Sequence, residues 1–199
     1  MIASIYYLAL NCLFSLLFVS EHKVEHPALS CRMEDDIVWT ADYKLNWSNF
    51  KGRPSNGHHA DALTSGSIFF SYTDNRDGIY EISIIASFHP SESWVRHKKG
   101  SDYLLAHEQL HFDLTELYAR KLREKVLSYH HTKKDFKKHY DKMFNEIYRE
   151  LQHMQDLYDR ETSHSLNKSA QKKWHQEIDA MLAQSSSYTD TEFKIKILK

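Results

Sequence analysis

The stretch SIFFSYTDNRDGIYEISIIASF, residues 67–88, decides how the chain begins to fold. Its two ends, residues 67–72 and 79–88, are rich in β-branched and aromatic side chains, which favour extended strands. Between them, residues 74–78 read DNRDG, and Asn, Asp and Gly tolerate the positive φ angles of a tight turn. The stretch therefore predicts an antiparallel β-hairpin.

The residues that follow the hairpin have the composition of helices. Residues 101–130 contain no Gly or Pro and are rich in good helix formers, so they predict a first long helix. A second helix is predicted for residues 134–158, where apolar side chains recur every three or four positions, and a shorter third helix for residues 168–183. Residues 193–197 alternate like a closing strand. Because strands come first and helices follow, we predict an α+β fold: a hairpin in a small antiparallel sheet, then two long antiparallel helices and a shorter third helix.

The composition of the 199-residue chain excludes some classes of function. Hydrophobic residues make up 41% and charged residues 27%, which is ordinary for one globular domain with a real core. The formal net charge is −1, whereas nucleic-acid-binding proteins usually carry a basic surplus, so we expect no nucleic-acid partner. Fourteen histidines raise the expectation of a bound metal.

The N-terminal segment predicts export. Residues 2–19 are almost wholly apolar and carry no charged side chain, as in a signal peptide or a membrane anchor. We therefore expect a leader at residues 1–20, a polar linker at residues 21–36 and one metallohydrolase domain at residues 37–199. The expected location is periplasmic, secreted or anchored to the cell envelope.

The first predicted helix carries the sequence HEQLH at residues 107–111. His107 and His111 are four positions apart, so both imidazoles project from one face and can reach one Zn²⁺ ion at about 2.0–2.1 Å. Glu108 lies one position round the helix, where its carboxylate can take a proton from a water that zinc has acidified to a pKa of about 7. The spacing predicts a zinc site with His107 and His111 as ligands and Glu108 as the catalytic base.

A catalytic zinc ion usually has a third protein ligand and an open position for water. Asp113 lies on the opposite side of the helix and Glu116 nearly half a turn away, so neither is a comfortable third ligand. An antiparallel second helix would return beside the start of the first. We therefore predict His164, just beyond that helix, as the third ligand, and Asp159 as a carboxylate that hydrogen-bonds a ligand histidine. An exposed loop histidine and an ordinary helix-end carboxylate are the alternatives.

Three motifs together carry a resemblance to a known family: LLAHEQLHFD at residues 104–113, WSNFKG at residues 47–52 and YDRETSH at residues 158–164. Over residues 39–178 the chain resembles a poorly characterised bacterial family whose members are described as secreted zinc-dependent proteases. The resemblance implies a zincin-like metal site with His107, His111 and His164 as ligands and Glu108 as base.

The expected function is that of a zinc metallopeptidase of the cell envelope, acting on a peptide or protein substrate. Two other functions stay open: a non-catalytic envelope binding protein that zinc stabilises, and a metal-dependent hydrolase of a non-peptide amide. A closed site with four protein ligands would favour the non-catalytic protein, because such a site leaves no position for water.

Overall fold

The computed structural model describes residues 23–25, 35–54, 60–74, 78–96, 100–130, 132 and 136–197. These residues form a set of strands followed by three helices and a closing strand. The strands are β1 (Lys23–Glu25), β2 (Ile37–Val38), β3 (Ala62–Leu63), β4 (Gly66–Asp74), β5 (Ile79–Phe88), β6 (Trp94–Val95) and β7 (Glu192–Lys196). The helices are α1 (Asp102–Ser128), α2 (Phe136–Thr162) and α3 (Lys168–Gln184). The predicted α+β fold class is thereby confirmed.

The predicted hairpin forms the centre of the main sheet. β4 and β5 pair antiparallel over their length, from Gly66 opposite Phe88 to Asp74 opposite Tyr80. Gly78, at the end of the DNRDG turn, has a φ of 75°, the positive value that this sequence predicts. β1 pairs with the outer edge of β4, while β2 and β7 pair with opposite ends of the other edge of β5. β3 and β6 form a separate two-stranded sheet.

The predicted leader, residues 1–20, lies outside the described residues. β1 falls within the predicted linker, residues 21–36, so part of that segment pairs with the sheet. Of the helices that the structure describes, none has the length and apolar character needed to cross a membrane.

The first helix, α1, lies between the main sheet and the other two helices. Alternate residues of the hairpin, including Ile68, Phe70 and Ile84, turn one face of the sheet towards α1 and the start of α2 and are almost fully buried. Leu110 and Leu114 of α1 are fully buried in the same core. Burial of each such side chain contributes about 1.5–3 kcal/mol, so this core holds α1 rigidly against the sheet.

The two long helices run antiparallel, as predicted. Lys125 near the end of α1 forms an ion pair of 2.7 Å with Glu146 of α2, and His107 near the start of α1 contacts Asp159 near the end of α2. Ser101 caps the start of α1, since its hydroxyl accepts the backbone N–H of Leu104 at 3.1 Å. The N-terminal end of α1 therefore lies beside the C-terminal end of α2.

The second helix continues four residues beyond the predicted end, because no Gly or Pro follows residue 158 to stop it. It ends at Thr162, where Ser163, His164 and Ser165 take φ values of 49°, 52° and 73° in the left-handed region. Asp159 is therefore a helical residue with a fixed direction, and His164 belongs to a turn.

Hydrogen bonds hold the N-terminal segment 39–50 on the face of α1 that points away from the histidines. The Trp39 indole N–H donates to Asp113 Oδ1 at 2.7 Å, and Gln109 Nε2 donates to the same oxygen at 2.9 Å. Gln109 Oε1 accepts the backbone N–H of Leu45 at 2.8 Å. Two polar residues of the HEQLHFD motif thus fix the fold around the helix, on the face away from the histidines.

Candidate metal centre

Three possible metal ligands meet where the start of α1 faces the end of α2. Asp159 Oδ1 lies 3.1 Å from His107 Nε2 and 3.1 Å from His111 Nε2, and the two Nε2 atoms are 3.2 Å apart. Within the described part of the chain, these three residues form the group of potential ligand atoms that all lie within 4.8 Å of one another. The three atoms form a nearly equilateral triangle.

The size of this triangle fits a tetrahedral metal ion. Ligands at about 2.0–2.1 Å from zinc, with tetrahedral angles between them, are separated from one another by about 3.4 Å. The observed separations of 3.1–3.2 Å are close to this value. One divalent cation can therefore contact all three atoms, with only small movements of the side chains.

The hydrogen bonds around His111 determine which of its nitrogens is free to bind a metal. Gln155 Nε2 donates to the His111 carbonyl oxygen at 2.9 Å, so Gln155 Oε1 is the atom that faces His111 Nδ1 and accepts its proton. In the neutral ring, Nε2 then presents a lone pair to His107 and Asp159. Lone pairs of nitrogen and carboxylate oxygen at these distances repel unless a proton or a metal ion lies between them.

Tyr158 positions both histidine rings. Its ring stacks on His107 with centroids 4.5 Å apart, and meets the ring of His111 edge-on at 4.9 Å. Tyr158 is fully buried, and its hydroxyl donates to the His107 carbonyl oxygen at 3.4 Å. Burial, together with the nearby charges of Glu108 and Asp159, raises the pKa of Tyr158 far above its ordinary value, so the hydroxyl keeps its proton.

Burial and mutual contacts set the protonation of the three candidate ligands. Burial lowers the pKa of His107, which favours the neutral ring. Burial also opposes a charge on His111, but the hydrogen bond with Asp159 and the charges of Glu108 and Asp159 outweigh it and raise the pKa of His111. Burial disfavours ionisation of Asp159 as well, yet hydrogen bonds with both histidines hold its pKa well below the ordinary value. Asp159 is therefore a carboxylate at neutral pH.

Glu108 lies in the same cleft as the triangle, with its side chain only 2% exposed. Its Oε2 atom is buried and has no hydrogen-bond partner. An unsatisfied buried polar group costs about 1–3 kcal/mol, and more when charged, so its presence calls for an explanation. A carboxylate oxygen left free beside a metal-binding triangle is placed to accept a proton from a molecule that enters the cleft.

His164 lies at the edge of the triangle. Its Nδ1 is 3.5 Å from Asp159 Oδ1, and its side chain is 71% exposed. Left-handed backbone in a residue other than Gly costs about 1–2 kcal/mol, and here three such residues follow one another, Ser163 to Ser165. Strain of this kind is concentrated at functional sites. The structure thus brings His164 to Asp159, and its role as a metal ligand stays a prediction.

The triangle and Glu108 line an open cleft of about 830 Å³. One wall is the extended segment 60–66, and a second wall is a face of α2 that includes Gln152, Gln155 and Asp156. The turn after α2, residues 163–166, also lines the cleft. This volume falls within the range of sites that bind small molecules and short chain segments.

Two residues of the site, Gln155 and Tyr158, were not predicted from the sequence. Both lie on α2, and their role depends on how α2 is rotated about its own axis against α1. The sequence carries two signals for them: the spacing of Gln155, Tyr158 and Asp159 places them near one face of a helix, and Tyr158 is the first residue of the YDRETSH motif.

Residues 40–165, more than half of the chain, match the model of a family described as bacterial proteins of unknown function, DUF922. The chain therefore belongs to this bacterial family. The matched segment includes both histidines of the triangle, Glu108 and Asp159. No curated protein and no solved structure matches the chain. The bacterial part of the resemblance is thus confirmed, and the zincin-like protease remains a prediction.

Proposed function

We propose that this DUF922 protein is a zincin-like, zinc-dependent hydrolase that cleaves peptide bonds, with His107, His111 and Asp159 as the metal ligands. The proposal is carried by the triangle of ligand atoms beside the buried, unpaired carboxylate of Glu108 in an open cleft. Asp159 takes the place that the sequence suggested for His164, because its Oδ1 contacts both ring nitrogens.

Two histidines and one carboxylate form a ligand set of catalytic zinc sites, and it leaves a position for water. Iron(II) oxygenases use the same set of donors. The adjacent Glu108 favours zinc and hydrolysis, because a hydrolase needs a base beside the metal. The open cleft also supports a catalytic site over a structural one, whose metal is enclosed by four protein ligands.

A zinc ion bound at the triangle supplies a Lewis acid for the substrate carbonyl and lowers the pKa of water to about 7. Glu108 accepts the proton of the attacking water at its free Oε2 and then gives it to the departing amine. Gln155 and Tyr158 hold the histidine rings, so that both Nε2 atoms keep their direction during the reaction. The segment 60–66 and α2 hold the substrate chain between them.

The peptide substrate is supported by the volume of the open cleft, about 830 Å³, and by the extended segment 60–66 along it, beside which a peptide chain can lie. The location in the cell envelope is supported by the apolar run at residues 2–19.

The decisive variant is Glu108→Gln, which keeps the shape of the side chain but removes the base. We expect this variant to hold one zinc ion per chain by elemental analysis and to lose hydrolysis of a casein-type substrate by about 10²–10⁴-fold. Glu192→Gln, an exposed substitution in β7 away from the cleft, is the matched control and should keep full activity. Full activity of Glu108→Gln would overturn the mechanism.

Loss of metal in the ligand variants tests the site itself. His107→Ala and Asp159→Ala should each lose zinc, while His164→Ala should retain it if Asp159 is the third ligand. A wild-type protein that holds zinc but cleaves neither peptides nor cell-wall amides would point to the non-catalytic role instead.

A further inference from the structure

We infer that the cleft selects peptides with a lysine or arginine side chain next to the cleaved bond. This inference rests on the proposed function and names the substrate class of that site. Four carboxylates line the cleft: Asp61, Glu108, Asp156 and Asp159. Among the described residues that line it, none is a lysine or an arginine.

The metal site neutralises only two of these carboxylates. A divalent cation held by two neutral imidazoles carries a charge of +2, which the charges of Asp159 and Glu108 balance. Asp61 and Asp156 are left over, and they come from different elements of the lining, Asp61 from the residue before β3 and Asp156 from α2. In the described part of the chain, no ion pair joins either side chain to a basic residue. With the metal bound, the described residues that line the cleft therefore keep a net negative charge.

The position of Asp156 places this charge close to the metal. Asp156 precedes Asp159 by three residues on α2, so the two lie on neighbouring positions of one helix face and about 4.5 Å apart along the axis. Gln155, which forms a hydrogen bond with His111, directly precedes Asp156 in the chain. A basic side chain on a substrate residue beside the scissile bond is therefore within reach of Asp156.

Asp61 contributes less than Asp156. Arg96, an exposed residue outside the cleft lining, donates to the carbonyl oxygen of Ala60 at 3.1 Å and 3.2 Å, next to Asp61 in the chain. Its positive charge lies near Asp61 and offsets part of the field there. We therefore expect the larger share of the selectivity from Asp156.

A series of internally quenched peptides tests the inference on the full-length, zinc-loaded protein. The peptides are identical except for Lys, Gln or Glu at the residue on either side of the cleaved bond. We expect kcat/KM to fall in the order Lys, Gln, Glu, with exposed carboxylates contributing up to about fivefold each. Asp156→Asn should lower the ratio of kcat/KM for the Lys peptide to kcat/KM for the Glu peptide most, and Asp61→Asn should lower it less. Added salt should lower the same ratio in the wild type.

The control is Asp179→Asn, which removes an exposed carboxylate on α3 outside the cleft and should leave the ratio unchanged. An unchanged ratio in the double variant Asp61→Asn/Asp156→Asn would overturn the inference, as would a wild type that prefers the Glu peptide.

Binding separates this inference from the proposed function. In the zinc-loaded Glu108→Gln protein, fluorescence anisotropy should show tighter binding of the Lys peptide than of the Glu peptide, and the two Asn substitutions should reduce the difference. Hydrolysis without any charge preference defeats the inference alone. If the Glu108→Gln protein binds the Lys and Glu peptides equally and the zinc-loaded wild type cleaves neither of them, both the inference and the proposed function are overturned.

Discussion

Among single residues, Gln155 connects the candidate site to the rest of the molecule. Its amide accepts the Nδ1 proton of His111 and donates to the His111 backbone, so one side chain fixes both the tautomer and the direction of a candidate ligand. A partner of this kind contributes to metal affinity without touching the metal.

Gln155→Leu should therefore weaken zinc binding about 10–100-fold, because His111 loses the acceptor that orients it. Competition with a chromogenic chelator measures the affinity. Gln152→Leu is the matched control, since Gln152 lines the same wall of the cleft but makes no hydrogen bond to His111. Equal affinities of the two variants would contradict this role for Gln155.

Zinc binding should also release protons. The raised pKa of His111 means that its ring holds a proton at a higher pH than the ordinary 6.5, and this proton must leave before Nε2 can bind a metal. Zinc affinity should therefore fall as the pH is lowered through the pKa of His111. Asp159, with its lowered pKa, starts to compete only in much stronger acid. Calorimetric titration with zinc near pH 6.5, in two buffers of different ionisation enthalpy, measures the protons released. Identical heats of zinc binding in the two buffers would contradict the expectation.

The sequence predicts His107, Glu108 and His111 because their spacing is local to one helix. The third ligand depends instead on where α2 ends and which face it turns to α1. Asp159 and His164 are only five residues apart, and the choice between them depends on the left-handed turn that follows Thr162. No residue in this turn is a glycine, so the sequence carries no ordinary signal for it.

Among the elements, α1 is tied to the sheet by a buried ion network. Arg123 is fully buried, donates to Glu116 at 2.9 Å and donates twice to the Ile84 carbonyl oxygen in β5. A further N–H donates to the Tyr188 carbonyl oxygen beyond α3. One guanidinium thus joins α1, the sheet and the segment after α3.

Arg123→Met should destabilise the protein by about 3–5 kcal/mol, because it removes the donor of two buried carbonyl oxygens, those of Ile84 and Tyr188, and leaves the buried Glu116 carboxylate with Arg120 as its remaining basic partner. The free energy of unfolding in urea measures the loss. Arg149→Met, at an exposed position of α2, should change it by less than about 0.5 kcal/mol. A loss below about 1 kcal/mol in Arg123→Met would show that the network contributes little.

The long elements were predictable, whereas three short strands, β1, β3 and β6, were not. The helices and the hairpin carry a periodic pattern over many residues, which predicts their type directly. β1, β3 and β6 contain two or three residues each, and they are strands only because distant segments pair with them. Local sequence contains no information about such partners, and β3 therefore appears as a cleft wall only in the structure.

For the whole molecule, the candidate site joins α1 and α2 at the end opposite to the ion pair between Lys125 and Glu146. A metal that binds only the folded state raises the free energy of unfolding, by about 2.7 kcal/mol when the metal concentration is one hundred times Kd. We expect zinc to raise the unfolding temperature and a chelator to reverse the rise, as measured by scanning calorimetry. Asp159→Ala should keep the unfolding temperature of the metal-free protein within a few degrees and lose the response to zinc. A response that survives in this variant would place the metal elsewhere.

One face of α1 lines the cleft and the other holds the N-terminal segment, and this limits the substitutions that the helix tolerates. Ordinary amphipathic helices accept substitutions on their solvent face, so a saturation scan gives a rhythm of permissive and sensitive positions. Residues 107–113 have no such solvent face. The two histidines and Glu108 line the cleft, while Gln109 and Asp113 form hydrogen bonds that hold the N-terminal segment. The other two residues, Leu110 and Phe112, are fully buried in the core. A scan of this helix should therefore show an unbroken block of intolerant positions that starts at residue 107 and runs on through the buried residues 114–120, and sequence variation in the family should be confined to the first turn of the helix and to its exposed last turn.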